Sequence, residues 1–123
     1  MAKEAALRVK YMTSKDCLFC KIVGGETKSD IIYQDDKVIA FWDVNPIAAT
    51  HILIVPKKHV ESVLSVGSSN GTDLVAMFNA AAKVSKGKGI DSFRLSFNVG
   101  RFQHVPHLHM HLLAGGKVEW SKL

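Results

Sequence analysis

The hydrophobic pattern along the chain changes period twice, from alternation to helical spacing and back. Short runs rich in β-branched and aromatic residues predict five strands. These runs extend over Ile31 to Gln34, Lys37 to Asp43, His51 to Val55, Phe93 to Val99 and Leu108 to Leu113. Asp35-Asp36 separates the first two runs and predicts the turn of an antiparallel hairpin, while Pro56 ends the third run.

The main helical pattern extends from Gly71 to Lys86, where apolar residues recur near helical spacing. Thr72 is a candidate N-cap, and Gly87 and Gly89 are natural stop residues. A shorter helix is predicted over Val60 to Val66. Because the predicted strands and helices show no internal repeat and no low-complexity linker, we expect one α+β domain in two layers.

Length and composition narrow the class of protein. The 123 residues suffice for one ordinary domain, and 47% hydrophobic with 22% charged residues is typical of a globular fold rather than a disordered one. Sixteen Lys and Arg against eleven Asp and Glu give a formal charge of +5, which suits anionic ligands. The basic residues are scattered, six of them among the first 28 positions, so no specific nucleic-acid binding is predicted.

The sequence also bears on location. Apolar runs such as Val38 to Trp42 fall far short of the ~20 residues that cross a bilayer, so no membrane partner is predicted. The opening stretch MAKEAALRVKYM lacks the hydrophobic region of a secretory leader, and a cytoplasmic location is expected. Ser121, Lys122 and Leu123 spell the address of the peroxisomal import receptor, which predicts import if the source is eukaryotic and means nothing in a bacterium.

The histidines are the strongest chemical signal in the chain. All six lie between positions 51 and 111, and His107, His109 and His111 alternate with apolar residues. On a strand this alternation places the three imidazoles on one face, with His51 available from another strand. Clustered titratable groups favour a functional site. Two kinds of chemistry are open, a three-histidine metal site that activates water and nucleophilic catalysis by one imidazole.

His-x-His-x-His followed by two apolar residues resembles the signature of the histidine triad superfamily. The resemblance continues through CLFCKIVGGE, YQDDKVIAFWDVNPIAATHILIVPKKH, NVG and QHVPHLHMHLLAGG, in that order, over about residues 17–120. It implies a HIT-like fold, a five-stranded antiparallel sheet with one main helix and a short helix. The whole chain, 1–123, would be a single HIT domain with an N-terminal extension over 1–14, assembled as a homodimer.

The branch that the chain resembles most is the histidine triad nucleotide-binding proteins, which are nucleoside phosphoramidases. The resemblance implies hydrolysis of purine nucleoside phosphoramidates or aminoacyl adenylates, with release of AMP through a nucleotidyl-histidine intermediate. His109 would be the nucleophile on the α-phosphorus, its second ring nitrogen held by a main-chain carbonyl of the same strand. The implied catalytic group is His51, Gln103, His107, His109 and His111. Alternatives are a dinucleoside polyphosphate hydrolase and a nucleotide-binding adaptor with incidental chemistry.

The resemblance also implies contacts around the nucleotide. The matching positions are Phe19, Phe41, Asp43, Val44, Asn98, Gln103 and His104. Asp43 would accept hydrogen bonds from ribose hydroxyls, or else cap the turn at Asn45-Pro46. His104 stands where relatives commonly have Ser or Thr near the leaving group, and it either supplies a proton there or points into solvent. The loop from Gly100 to Pro106 looks shortened, which leaves the leaving-group preference open.

Cys17 and Cys20 form a CxxC motif, which is compatible with a redox pair, half of a zinc site or two plain thiols. Two cysteines cannot close a tetrahedral site, and His59 and His107 are candidate third and fourth ligands. A thioredoxin-like role is not expected because no βαβ framework surrounds the motif. We predict a structural Cys₂His₂ zinc site, with His107 serving the metal while His109 and His111 face the nucleotide.

Overall fold

The computed structural model describes residues 16–123, so the predicted N-terminal extension over 1–14 lies outside the described residues. Five strands form one antiparallel sheet in the order β1-β2-β3-β5-β4. The strands are β1 (Ile31–Gln34), β2 (Val38–Trp42), β3 (Thr50–Pro56), β4 (Arg94–Ser96) and β5 (Met110–Ala114). The predicted α+β class and antiparallel five-stranded sheet are confirmed, and the two late strands are shorter than predicted.

The turn between β1 and β2 is built on one carboxylate. Asp35 Oδ1 accepts hydrogen bonds from the backbone N–H groups of Lys37 and Val38 at 2.8 and 2.9 Å, and Tyr33 donates its hydroxyl to Oδ2 at 2.8 Å. An aspartate that bonds the backbone two residues further on is a common turn device. The predicted hairpin turn at Asp35-Asp36 is confirmed.

The helices differ more from the predictions. The main helix, α2 (Gly71–Gly87), matches the predicted range, but Asn70 is the N-cap and Thr72 lies inside the first turn, so the predicted Thr72 cap is wrong. Gly89 beyond its end has φ +67, the left-handed conformation that glycine adopts without strain. The short helix predicted over Val60 to Val66 is also wrong: only a 3₁₀ turn over Val63–Ser65 forms, capped by a preceding serine.

An unpredicted short helix, α1 (Leu18–Val23), precedes the sheet. Its N-cap is Cys17, whose sulfur accepts a hydrogen bond from the backbone N–H of Cys20 at 3.3 Å. Sulfur is not among the usual capping groups, which are oxygens of Ser, Thr, Asp and Asn. The CxxC motif therefore forms the first turn of this helix, and α1 adds a small element that the two-layer prediction did not contain.

The alternation of side chains along the strands divides the core into two clusters. On one face of the sheet, α2 packs against β1, β2 and β3, and the buried cluster formed there includes Met77 of α2, Ile54 of β3 and Leu112 of β5. On the other face, α1 packs Phe19 against a cluster that includes Phe41. Since β2 and β3 contribute residues to both clusters, every second residue of these strands points away from α2.

None of the helices described in residues 16–123 combines the length and the apolar composition needed to cross a membrane.

Candidate active site and metal centre

The histidine face is created by the segment that leads into β5. His107 and His109 precede the strand and His111 lies within it, yet the alternation runs through all three. Leu108, Met110 and Leu112 pack into the α2 cluster, while the three imidazoles are buried on the opposite face, at 0%, 6% and 4% exposure. The prediction that the imidazoles share one face agrees with this arrangement, although β5 begins two residues later than expected.

The tautomer of His109 is fixed by the backbone. Its Nδ1 lies 2.7 Å from the carbonyl oxygen of His107, and since a carbonyl only accepts, Nδ1 carries the proton and donates it. The lone pair of the neutral ring is then on Nε2. Burial lowers the pKa of His109, which favours the neutral ring at pH 7. The main-chain hydrogen bond predicted for the second ring nitrogen of His109 is therefore present. It leaves the lone pair on Nε2 available to attack an electrophile.

A second chain of hydrogen bonds joins His51 and His111. The backbone N–H of Ile47 donates to His51 Nδ1 at 3.1 Å, so the proton of neutral His51 is on Nε2. That nitrogen lies 2.9 Å from His111 Nδ1 and donates to it, which puts the proton of His111 on its own Nε2. Burial lowers the pKa of His51, and burial with the neighbouring imidazoles lowers the pKa of His111 to about 3.

This series of hydrogen bonds ends at an N–H donor of His111 that has no acceptor within the described residues. His111 Nε2 is buried and has no hydrogen-bond partner within the described residues. A buried N–H group without an acceptor costs about 1–3 kcal/mol, so such a group is expected to meet a ligand. His109 and His111 have ring centroids 5.0 Å apart, and both line one cavity. An anionic group held there would accept from His111 while it faces His109.

Asp43 follows directly after β2 and divides its two oxygens between two tasks. Oδ1 accepts a hydrogen bond from the backbone N–H of Asn45 at 2.8 Å. This is the turn cap that was predicted as the alternative role of Asp43. Oδ2 lies 3.3 Å from His51 Nε2 at the edge of the cavity. The turn cap and a contact with a bound ligand are therefore compatible, because they use different oxygens.

The cavity over these histidines has a volume of about 350 Å³, within the range of small-molecule sites. It brings together many of the predicted site residues: Phe19, Phe41, Asp43, Val44, His51, His104, His109 and His111. His104 is exposed at this cavity, beside the buried rings.

The sequence did not indicate the further apolar wall of Leu18, Ile22 and Leu53 or the basic side chains of Lys28 and Lys122. The places of Leu18 and Ile22 in this wall could not be predicted from the sequence because α1 is too short to show a helical period.

Three residues of the predicted catalytic and nucleotide-contact groups, His107, Gln103 and Asn98, lie outside the lining of this cavity. Gln103 donates its side-chain amide to the carbonyls of Glu61 and Val105 at 2.8 and 3.0 Å, and so ties the loop before the triad to the segment after β3. Asn98 has a buried amide nitrogen with no hydrogen-bond partner in the described part of the chain. In this structure Gln103 acts on the loop, and Asn98 holds an unused donor.

The CxxC motif meets two histidines behind the cavity. Cys17 Sγ and Cys20 Sγ lie 3.4 and 3.5 Å from His107 Nδ1. His59 Nδ1 lies 3.1 Å from both Cys20 Sγ and His107 Nδ1. The four atoms are all within 4.8 Å of one another, and we call these residues the Cys₂His₂ cluster.

The chemistry of the Cys₂His₂ cluster fits a metal ion. His107 Nε2 donates to the carbonyl of Pro56 at 2.8 Å, which leaves the lone pair on Nδ1, and burial lowers the pKa of His107 to about 4. Zinc bonds of about 2.0 to 2.3 Å in a tetrahedron separate neighbouring ligand atoms by roughly 3.3 to 3.8 Å, close to the distances found here. Two sulfurs and two imidazole nitrogens are a common structural zinc set.

The rival three-histidine metal site does not form. Within residues 16–123, no group with metal-ligand spacing contains His107, His109 and His111 together. The second group with such spacing, Asp43 with His51 and His111, already contains the hydrogen bond between the two rings. His107 turns its free nitrogen to the cysteines, and His109 remains outside both groups.

Comparisons with known proteins agree with this geometry. A profile of the HIT domain matches residues 24–118. The chain is 43% identical over 106 residues to the purine nucleoside phosphoramidase of Escherichia coli K12, covering 83% of this chain and 89% of that protein. It is 39% identical over 123 residues to a 14 kDa zinc-binding protein of Zea mays, covering 96% and 94%.

A solved structure extends the match to three dimensions. A HIT family hydrolase from Legionella pneumophila superposes with a TM-score of 0.81 at 37% identity, covering 88% of this chain and all of that one, 100%. The sheet, the main helix and their connections are thus shared with solved proteins, and the similarity extends over most of this chain's length.

Proposed function

We propose that this chain, which belongs to the HIT domain family and is a hydrolase of that family, cleaves purine nucleoside phosphoramidates or aminoacyl adenylates at the α-phosphorus and releases AMP. The observation that carries the proposal is the pairing of two buried rings in one cavity. His109 presents a lone pair on Nε2, and His111 presents an unused Nε2–H donor beside it. A nucleophile and a donor for a phosphate oxygen are what attack at phosphorus requires.

In the first step, His109 Nε2 attacks the α-phosphorus and the bond from phosphorus to the leaving group breaks. The ring gains positive charge, which the carbonyl of His107 at Nδ1 stabilises. Charge on the phosphate oxygens is stabilised by His111, whose donor is oriented by His51 and the backbone of Ile47. A leaving amine takes up a proton, for which exposed His104 at the cavity is the proposed source.

In the second step, water attacks the phosphorus of the nucleotidyl-histidine and the bond between phosphorus and Nε2 breaks. The proton that the water loses returns to His104 where that ring has protonated a leaving amine, and otherwise passes to solvent. AMP leaves and the neutral ring is restored. Phe19 and Phe41 are proposed to contact the base and Asp43 Oδ2 the ribose, because all three line the same cavity. The cavity then holds the nucleotide as one ligand, with its phosphate at the histidines.

We also propose a structural zinc ion at the Cys₂His₂ cluster. Support comes from the convergence of four ligand atoms and from the resemblance to a zinc-binding protein. Zinc there would crosslink α1, the segment after β3 and the segment before β5, and it would not take part in the chemistry at phosphorus. His107 would bind the metal through Nδ1 while its Nε2 stays bonded to Pro56.

The proposed hydrolase acts as a homodimer. Support comes from apolar side chains on α2 that the described residues do not cover, Val75 at 60% and Phe78 at 52% exposure. In addition, β4 lies at the edge of the sheet, and within residues 16–123 it pairs on one side only, with β5. Exposed apolar patches and open sheet edges are typical of surfaces that meet a partner.

The activity test uses an adenosine phosphoramidate and the variant His109→Ala. Wild-type protein is expected to release AMP catalytically, and the variant is expected to lose this activity while it still binds AMP. Retention of AMP binding serves as the control for folding. Full activity of His109→Ala would disprove the mechanism, and tight AMP binding by a wild-type protein without turnover would favour the adaptor. Faster cleavage of a dinucleoside polyphosphate would favour the polyphosphate hydrolase.

A further inference from the structure

The Cys₂His₂ cluster and the nucleotide cavity share a wall. Helix α1 has six residues, and the CxxC motif at its start supplies both sulfurs of the cluster. The same helix supplies Leu18, Phe19 and Ile22 to the cavity. Isolated helices shorter than about 12 residues are marginal in water, so α1 owes its position to tertiary contacts. Metal bonds at its first turn would be among the strongest of these contacts.

Phe19 links the cluster to the histidine face. Its ring packs edge-to-face with the ring of His107, with centroids 5.9 Å apart, and with the ring of His109, with centroids 5.0 Å apart. The ring is buried at 3% exposure, and it also contacts Phe41 on the cavity wall. A shift of α1 would therefore move a ring that touches both a metal ligand and the proposed nucleophile.

His107 is the second link, since one residue faces both sites. Its Nδ1 belongs to the cluster, and its carbonyl accepts the proton of His109 Nδ1 at 2.7 Å. Its Nε2 is anchored to Pro56 at the end of β3. With the ring held by metal and by Pro56, the carbonyl that orients His109 has little freedom to move.

We propose that metal binding at the Cys₂His₂ cluster and nucleotide binding at His109 are coupled, each raising the affinity for the other. This inference rests on the proposed function, because it requires a nucleotide in the cavity. His107 and Phe19 are then positioning residues: the metal fixes α1 and the carbonyl of His107, and the nucleotide selects the same arrangement from the other side. Thermodynamic linkage requires the same factor in both directions.

The test measures both affinities with AMP and Zn²⁺ as probes. Calorimetric titration of AMP into zinc-loaded and chelator-stripped protein is expected to give affinity about tenfold tighter with metal. Competition with a chromophoric chelator is expected to give zinc affinity tighter by the same factor when AMP is saturating. Equal affinities in the two states would overturn the coupling while leaving the proposed function intact. If AMP bound neither form, the proposed function itself would fail.

A variant keeps the inference testable if circular dichroism shows that the chelator-stripped protein has lost its fold. Phe19→Leu retains all four metal ligands, so it is expected to hold zinc with wild-type stoichiometry. Saturating AMP is expected to slow the transfer of zinc from wild-type protein to the chelator. The factor of this slowing is expected to fall toward one in Phe19→Leu. Lys21→Ala, on the same helix but outside the lining of the cavity, is the control and is expected to keep the wild-type factor. An unchanged factor in Phe19→Leu would overturn the proposal.

Discussion

Three buried histidines take their tautomer from backbone partners. His107 donates to Pro56, His109 donates to the carbonyl of His107, and His51 accepts from Ile47. The alternation of histidines and apolar residues could be predicted from the sequence, because it depends only on the period of extended chain. The partner of His107 could not, because Pro56 lies 51 positions away and meets the ring only in the folded sheet.

The unused donor of His111 gives the first prediction. Removing it in His111→Ala is expected to lower kcat about 10²–10³-fold, because a donor to the developing charge on phosphate is lost. His111→Asn keeps an N–H donor and is expected to recover part of that loss. Steady-state kinetics with an adenosine phosphoramidate measure both variants. A kcat within twofold of wild type for His111→Ala would show that the donor does not act in the transition state.

His104 gives a second prediction, which concerns the leaving group. If this exposed imidazole protonates the leaving amine, His104→Ala is expected to slow phosphoramidates of basic amines about 10²-fold or more, as for general acid catalysis. Substrates whose amine leaves without a proton are expected to be nearly unaffected. Comparing the two substrate series separates protonation from binding. A uniform loss over both series would place His104 in substrate binding instead.

Among the secondary-structure elements, the sequence predicted those with a long or regular pattern. The hairpin β1-β2, strand β3 and helix α2 match their predicted positions closely. Helix α1 was missed because LFCKIV is too short to show helical period and its cap is a sulfur rather than an oxygen. The residues before β5 were predicted as strand because they alternate like one, although their backbone does not pair as the ladder does.

Because Cys17 both caps α1 and belongs to the Cys₂His₂ cluster, its substitution tests this element. Cys17→Ala is expected to lose the bound zinc and to lower Tm, since ligand and cap are removed together. Zinc content by atomic absorption and thermal unfolding with and without chelator measure the effect. Chelator is expected to lower the Tm of wild type but not that of the variant. Unchanged zinc content in Cys17→Ala would rule out this cluster as the metal site.

At the scale of the whole molecule, the two faces of the sheet have different roles. One face packs against α2, and the other carries the histidines, α1 and the Cys₂His₂ cluster. The sequence indicated this division, because Leu108, Met110 and Leu112 alternate with the histidines. The sequence did not indicate that the cluster and the cavity lie side by side, since that depends on where α1 packs.

The proposed dimer is tested on the exposed face of α2. Phe78→Lys places a charge on a side chain that is 52% exposed in the single chain, so it is expected to leave the fold intact and to shift the protein to monomer. Light scattering coupled to gel filtration measures the mass. Lys86→Ala, near the end of the same helix, serves as the control and is expected to remain dimeric. A wild-type protein that is monomeric at high concentration would contradict the dimer.

The most direct test of the central claim traps the intermediate on His109. Protein mixed with an adenosine phosphoramidate is quenched within milliseconds, digested and analysed by mass spectrometry. We predict an adenylyl group on the peptide that carries His109, attached through the ring nitrogen, forming and decaying fast enough to account for turnover. Catalytic release of AMP with the adduct on another residue, or with no adduct at any time, would contradict the account.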